Sequence, residues 1–194
     1  MKAMILLLTK FCIIGAKHGF VSVMAVMGSG GHTQEMMALL SHLNVGKSNG
    51  KYSPITLIVA NNDMLSVEKV TKLRQTLPDC EVKTITRSRS VGQSYITSLI
   101  TTFISLIQSM IIVITVRPQL LICNGPGVCL PICLAATLLP TNVCIVFVES
   151  FCRTECLSLS GKILYYLAIC DHFLVQWPQL QRKYQRSTYL GLLV

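Results

Sequence analysis

The residues able to do chemistry collect in a few short stretches. Gly28-Ser29-Gly30-Gly31-His32-Thr33 places three glycines and an imidazole directly after the apolar run Val21 to Met27. Glycines allow a sharp turn and let a ligand approach the main chain, while a helix starting near Thr33 aims its unpaired N–H groups and positive dipole end into the same space. The chemistry of such a place is anion binding, most often of phosphate. His32 stands at its mouth, either as a titrating group or as a residue that caps the helix. Arg87 and Arg89 add fixed positive charge, and Asn124-Gly125-Pro126-Gly127 forms a second glycine turn. Glu149, followed by Ser150 and Arg153, is the acidic residue placed directly after a buried strand. Partial burial would raise its pKa and suit it to general-base work, and the competing role is to accept N–H bonds from the helix that follows. Glu35, near the start of the first helix, is assigned to the dipole.

Several chemistries are excluded by what is missing. A dinucleotide fingerprint needs a third glycine where Thr33 stands, and a P-loop needs Gly-Lys-Ser/Thr, which the chain lacks. No Asp-x-Asp pair is present for metal-bridged nucleotide-sugar chemistry, so neither a metal nor a cofactor is expected. The nine cysteines form no Cys-x-x-Cys pair and no zinc-like Cys/His spacing, and an odd number of thiols in apolar surroundings points to a reducing compartment. At 194 residues the chain suits one α/β domain, expected over 19–194. Hydrophobic residues make up 52% and mean hydropathy is +0.58, so a membrane or a large partner is expected to cover part of the surface. The formal charge of +9 fits an anionic lipid surface or diphosphate groups. Scattered basic residues with no aromatic-basic motif argue against nucleic acid.

The elements that must position these residues alternate along the chain. Strands are expected at Val21 to Met27 and Ile55 to Ala60, both buried, at Cys80 to Thr86, which alternates, and at Gln119 to Cys123, Asn142 to Val148 and Asp171 to Gln176. Helices are expected from Thr33, from Asn61-Asn62-Asp63 to about Thr76, at Val128 to Leu139 and near Glu155 to Leu167. A βα alternation of this kind predicts a doubly wound parallel sheet. Ligands of open α/β sheets bind beyond the carboxyl ends of the strands, and every candidate residue named above falls at such an end.

Three segments stand outside the alternation. Within residues 1–18, Ala3 to Ala16 is apolar apart from Thr9 and Lys10, too short for a spanning helix, which predicts a segment lying on a membrane surface or packed on the core. Ser94 to Val116 carries no charge. Its Ile96, Leu99, Ile100, Phe103, Leu106, Ile107, Met110, Ile111 and Ile114 repeat at helical spacing opposite Thr97, Ser98, Thr101, Thr102, Ser105, Gln108 and Ser109. That predicts an amphipathic helix packed on the sheet or laid with its polar face against headgroups. The tail closes on Leu192, Leu193 and Val194 with no charge nearby, which predicts burial at a partner, against the alternative of an edge strand on the chain's own sheet.

Together GSGGHTQEM at Gly28 to Met36, RSR at Arg87 to Arg89, CNGPGVCLPIC at Cys123 to Cys133, VESFCR at Val148 to Arg153, LSGKIL at Leu159 to Leu164, VQWPQL at Val175 to Leu180 and the closing YLG resemble the asparagine-linked glycosylation protein fourteen family. The same segments are more distantly similar to the amino-terminal half of MurG-type transferases. The resemblance implies the Rossmann-like, acceptor-side half of a GT-B glycosyltransferase. It implies a membrane-recruiting subunit at the cytosolic face of the endoplasmic reticulum, and a donor-binding partner of the asparagine-linked glycosylation protein thirteen type, held by the C-terminal end. The implied reaction is metal-independent, inverting transfer of a second N-acetylglucosamine from UDP onto dolichyl-diphosphate-N-acetylglucosamine. Gly28, Ser29, Gly30, Gly31, Thr33, Arg87, Arg89, Asn124, Gly125, Gly127, Ser150 and Arg153 would then hold the acceptor, with His32 or Glu149 as base. Two other classes compete: a scaffold without chemistry, and a stand-alone nucleotide-binding enzyme with Asp63 on a ribose.

Overall fold

A computed structural model describes residues 20–42, 51–61, 70–71, 79–87, 95–125 and 127–193. The expected N-terminal surface segment, Asn62, Asp63, Arg89 and Val194 therefore lie outside the described residues. Within them the chain runs β1 (Val21–Val26), α1 (Gly31–His42), β2 (Tyr52–Ala60), β3 (Cys80–Ile85), α2 (Tyr95–Val116), β4 (Leu120–Asn124), α3 (Cys129–Leu138), β5 (Cys144–Val148), α4 (Leu159–Tyr166), β6 (His172–Val175), α5 (Pro178–Lys183) and β7 (Thr188–Tyr189).

The strands make one parallel sheet in the order β3-β2-β1-β4-β5-β6-β7. The near-continuous apolar sequences of β1, β4 and β5 follow from cover on both faces, since a parallel sheet carries helices on each side, whereas the edge strand β3 exposes Glu81 and Thr84. Alternate residues of β1 show this directly. Val21, Val23 and Ala25 face the cluster containing Met36, Leu39 and Leu40 of α1, whereas Met24 and Val26 face the cluster built with Ile112 and Val113 of α2, Ile132 of α3 and Leu164 of α4. Phe147 of β5 is fully buried and stacks on Phe173 of β6 at 4.9 Å between ring centroids. The chain order reverses direction across the sheet between β1 and β4, so a crevice opens beyond their carboxyl ends.

Three expectations need correcting. Helix α4 begins at Leu159 and not near Glu155, because the Ser158 hydroxyl caps it by accepting from Gly161 N at 3.0 Å, and residues 151–156 form turns ahead of it. The C-terminal region is not all tail: α5 and the short edge strand β7 bring it back onto the sheet. Leu193 is only 2% exposed, joins the α1-side core and donates its main-chain N–H to Gln176 Oε1 at 3.0 Å. Its side chain is committed to this chain, while Leu192 is 54% exposed.

The third correction concerns α2, which is turned the other way round from a conventional amphipathic helix. Ser105 and Ser109, on the polar side, are fully buried, and large apolar residues of the other side face out. Small serines let the helix approach its neighbours closely, and Ser109 satisfies its hydroxyl on Ser105 O at 2.7 Å within its own helix.

Candidate functional site

The first glycine turn is fixed from inside. Met27 N donates to Ile58 O at 2.8 Å, which carries the sheet pairing one residue beyond β1. Gly30 then takes φ +60, a left-handed conformation that glycine adopts without steric cost, and α1 starts at Gly31. Thr33 is fully buried and its hydroxyl donates to Gly28 O, closing the turn. It was expected to touch a ligand; its hydroxyl is directed into the protein instead. A Cβ built at Gly30 or Gly31 would meet nothing within 4 Å, so open space lies against the turn. One Arg87 guanidinium nitrogen donates to Ser29 Oγ at 3.2 Å, bringing the β3 end to this loop.

Across the switch point, Asn124 ends β4 fully buried and Gly125 follows with φ +68. The His32 ring lies against Gly125: a Cβ there would come within 2.6 Å of His32 Cε1. Asn124 Nδ2 donates to Glu35 Oε2 at 2.9 Å and to Val148 O at 3.2 Å. Its Oδ1 is thereby directed to His32 Nδ1, 3.1 Å away. An amide oxygen only accepts, so Nδ1 carries the hydrogen and the ring's basic lone pair is on Nε2. That tautomer suits a proton acceptor held by its far nitrogen.

Glu35 is the site residue that the sequence reading passed over. The helix starts early enough at Gly31 to put Glu35 beyond its first turn, so the dipole explanation is superseded. Its carboxylate accepts from Asn124, from Ser150 Oγ at 2.8 Å and from Phe151 N at 3.3 Å, tying α1 to the ends of β4 and β5. Phe151 O accepts from Trp177 Nε1 at 2.7 Å, and the two rings lie 5.3 Å apart, which extends the brace to the β6 end. A signal was available: His32 and Glu35 are three apart on one helix, hence on one face.

Glu149 is placed differently from the expectation of a base. It is 0% exposed, and its oxygens accept from Ser150 N at 3.1 Å, Ser158 N at 3.0 Å and Ser158 Oγ at 3.1 Å. A Cβ at Gly161 would collide with Glu149 Oε2. Burial pushes its carboxyl pKa up, opposed by those hydrogen bonds and by the charge of Arg153. A group enclosed in this way anchors the loop between β5 and α4, and a base must reach the proton it removes. Ser150 is also buried, its hydroxyl given to Glu35. Arg153 is exposed, with its main-chain N–H on Ser150 O at 3.0 Å. Gly127 has open space on its Cβ side. Among the described residues no group of three or more His, Cys, Asp or Glu is placed to hold a metal ion.

A family model described as "Oligosaccharide biosynthesis protein Alg14 like" matches residues 23–193, a span that runs from β1 to the buried Leu193 and includes every candidate site residue above except Val194. The chain is also 43% identical over 186 residues to the mouse protein "UDP-N-acetylglucosamine transferase subunit ALG14", covering 89% of this chain and 82% of that one. The chain belongs to the Alg14 family. Among solved structures, this Alg14-family chain is similar to S. aureus MnaA in complex with UDP, with TM-score 0.63, 12% identity and coverage of 90% of this chain and 46% of the other. It is similar also to Acinetobacter baumannii MurG, with TM-score 0.60, 16% identity and coverage of 82% and 42%. At those identities the likeness concerns the fold, a Rossmann-like half of the GT-B type. The Alg14-family chain corresponds to somewhat under half the length of either structure.

Proposed function

We propose that this chain is the acceptor-side, membrane-recruiting subunit of an inverting UDP-N-acetylglucosamine transferase. The substrate is dolichyl-diphosphate-N-acetylglucosamine at the cytosolic face of the endoplasmic reticulum, and the product is the next N-glycan precursor. The reading rests on the His32–Asn124 pair, held at the switch point beside an open glycine turn and Arg87, in a chain whose relatives are named as subunits of such a transferase.

The main-chain N–H groups of the glycine turn and the Arg87 guanidinium hold the acceptor diphosphate. His32 Nε2 takes the proton of the acceptor hydroxyl as that oxygen bonds to the anomeric carbon of the donor sugar. The bond from that carbon to UDP breaks, UDP leaves with the electron pair, and the anomeric configuration inverts. Glu149 has no part in the transfer; it holds the loop that carries Ser150. The donor half is a second chain of the asparagine-linked glycosylation protein thirteen type, which closes over the same rim. This assignment is supported by the name of the mouse relative, which is that of a transferase subunit.

Reconstitution tests it. The purified chain alone should give no transfer to a lipid-diphosphate acceptor, and addition of the donor-binding partner should restore it. His32→Ala in the complex should lower kcat by about 10²- to 10⁴-fold, the usual contribution of a positioned base. Turnover by the isolated chain would remove the two-chain reading, and an unaltered kcat in His32→Ala would remove His32 as base.

A further inference from the structure

The outward side of α2 is a strip of large apolar side chains. Ile100, Phe103, Ile104, Ile107, Ile111 and Ile114 are 43% to 63% exposed. At 3.6 residues per turn they fall within an arc of about 100°, opposite the buried Ser105 and Ser109. From Tyr95 to Val116 there is no charged residue. The exposed hydroxyls beside the strip are turned inward: Thr101 Oγ1 donates to Thr97 O at 3.1 Å and Thr115 Oγ1 to Ile111 O at 2.9 Å. A contiguous apolar surface of this kind marks an interaction site.

Its position is informative. Gln108 Oε1 accepts from Thr86 N at 2.8 Å, which sets the middle of α2 level with the carboxyl end of β3. The helix ends at Val116, and Gln119 N donates to Ser22 O at the amino end of β1, so the helix runs from the carboxyl ends of the strands toward their amino ends. The part of α2 before Gln108, about 20 Å at 1.5 Å per residue, therefore extends past the strand ends on the rim that carries Ser29, His32 and Arg87. Ile100, Phe103, Ile104 and Ile107 are on that projecting part.

We infer that this strip docks on the surface of a lipid bilayer, with its side chains among the acyl chains. A protein partner would ordinarily supply and require about one hydrogen bond per 100–200 Å², and the strip presents none. Cations flank it, Arg87 at the rim and the exposed Arg117 just past the far end, in a chain of formal charge +9, as suits anionic headgroups. A bilayer met by the projecting end lies beside the mouth of the candidate site. A substrate with a lipid tail would then reach the glycine turn without leaving the membrane. The inference deepens the membrane-recruiting part of the proposed function by naming the surface, and it is testable without any transfer reaction.

The test is fluorescence quenching in the full-length protein, with vesicles of phosphatidylcholine and phosphatidylserine whose acyl chains are brominated. Phe103→Trp adds an indole on the strip, and Leu167→Trp adds one at an equally exposed position, 61%, beyond the end of α4. Compared with unbrominated vesicles, the added emission of Phe103→Trp should fall by at least half, and that of Leu167→Trp should be unchanged. Unaltered emission from Phe103→Trp, with or without co-flotation of the protein, overturns the inference. The double variant Phe103→Ser/Ile107→Ser should melt as the native chain does. It should also raise the apparent KM for a vesicle-embedded acceptor several-fold, leaving that for a short-tailed soluble acceptor unchanged. If the double variant instead loses a protein partner or self-association and keeps its vesicle affinity, the strip is a protein interface and the inference fails.

Discussion

Asn124→Ala removes the amide that connects His32 to Glu35. Three hydrogen bonds go with it: the acceptor for His32 Nδ1–H, the donor to Glu35 and the donor to Val148 O. A neutral bond contributes about 0.5–1.5 kcal/mol and one to a charged group about 1.5–3 kcal/mol, so the loss is about 2–5 kcal/mol once partial relaxation is allowed for. For a chain of this size each kcal/mol moves Tm by about 2–4 °C, which gives a fall of about 4–20 °C. Thermal melting of the purified chain reads that directly. The tautomer is read by nitrogen NMR of the imidazole: in the native chain the hydrogen belongs on Nδ1, and in Asn124→Ala nothing holds it there. In the reconstituted complex kcat should fall by about 10²-fold, the scale on which misplacing a catalytic group by 1 Å is felt. A Tm within 2 °C of the native value together with an unchanged tautomer would show that Asn124 does not hold the ring, and the argument from the His32–Asn124 pair would fail.

Glu149 makes stability depend on pH. Its folded pKa is raised by burial, so its stabilising contribution is complete below the ordinary carboxylate range, about 4.3, and is lost as pH rises through the raised value. Measured as Tm against pH, the native chain should decline over that interval relative to Glu149→Gln, and parallel curves would contradict the burial argument. Arg87→Ala, which removes a part-buried bond from a charged donor to Ser29, about 1.5 kcal/mol at the low end for such bonds, should lower Tm by only about 3–6 °C while weakening binding of the acceptor diphosphate about tenfold or more by calorimetry; the reverse pattern, a larger fall in Tm with unchanged binding, would make Arg87 structural. At the C-terminal end, Leu193→Ala should cost about 2–5 kcal/mol, whereas Leu192→Ser should leave melting unchanged and reduce co-purification with the donor-binding partner. Equal effects of the two on melting would show that Leu192 is also core.

The sheet was legible because a parallel strand covered on both faces must be apolar throughout, and no amphipathic helix imitates Val21 to Val26 or Cys144 to Val148. The placement of the two glycine turns followed from the same fact, since each comes straight after such a strand, whereas Arg87 follows β3, an alternating edge strand. Orientation was harder to read. The two sides of α2 differ in polarity without any charge, and hydrophobic periodicity reports that a helix has two sides without saying which is inside. Two serines small enough for close packing reversed the usual answer. Leu193 could not be distinguished from Leu192 for a related reason: two adjacent leucines in a tail look alike until Gln176, seventeen residues earlier, is known to receive one of their N–H groups.

Of the two roles open to Glu149 the structure shows the acceptor of N–H bonds ahead of α4, and Glu35 braces the rim in place of answering the helix dipole. Both carboxylates lie near the rim, and what separates them is who donates to them. Glu149 receives donors from its own following loop, Ser150 N, Ser158 N and Ser158 Oγ, so its bonds close a local ring and stay inside one connection. Glu35 receives donors from the ends of β4 and β5, far away in sequence, so it joins separate connections. A carboxylate of the first kind sets the shape of a loop. One of the second kind sets the distance between loops, and in this fold the separation of the β1 and β4 ends decides where His32 stands relative to the glycine turn.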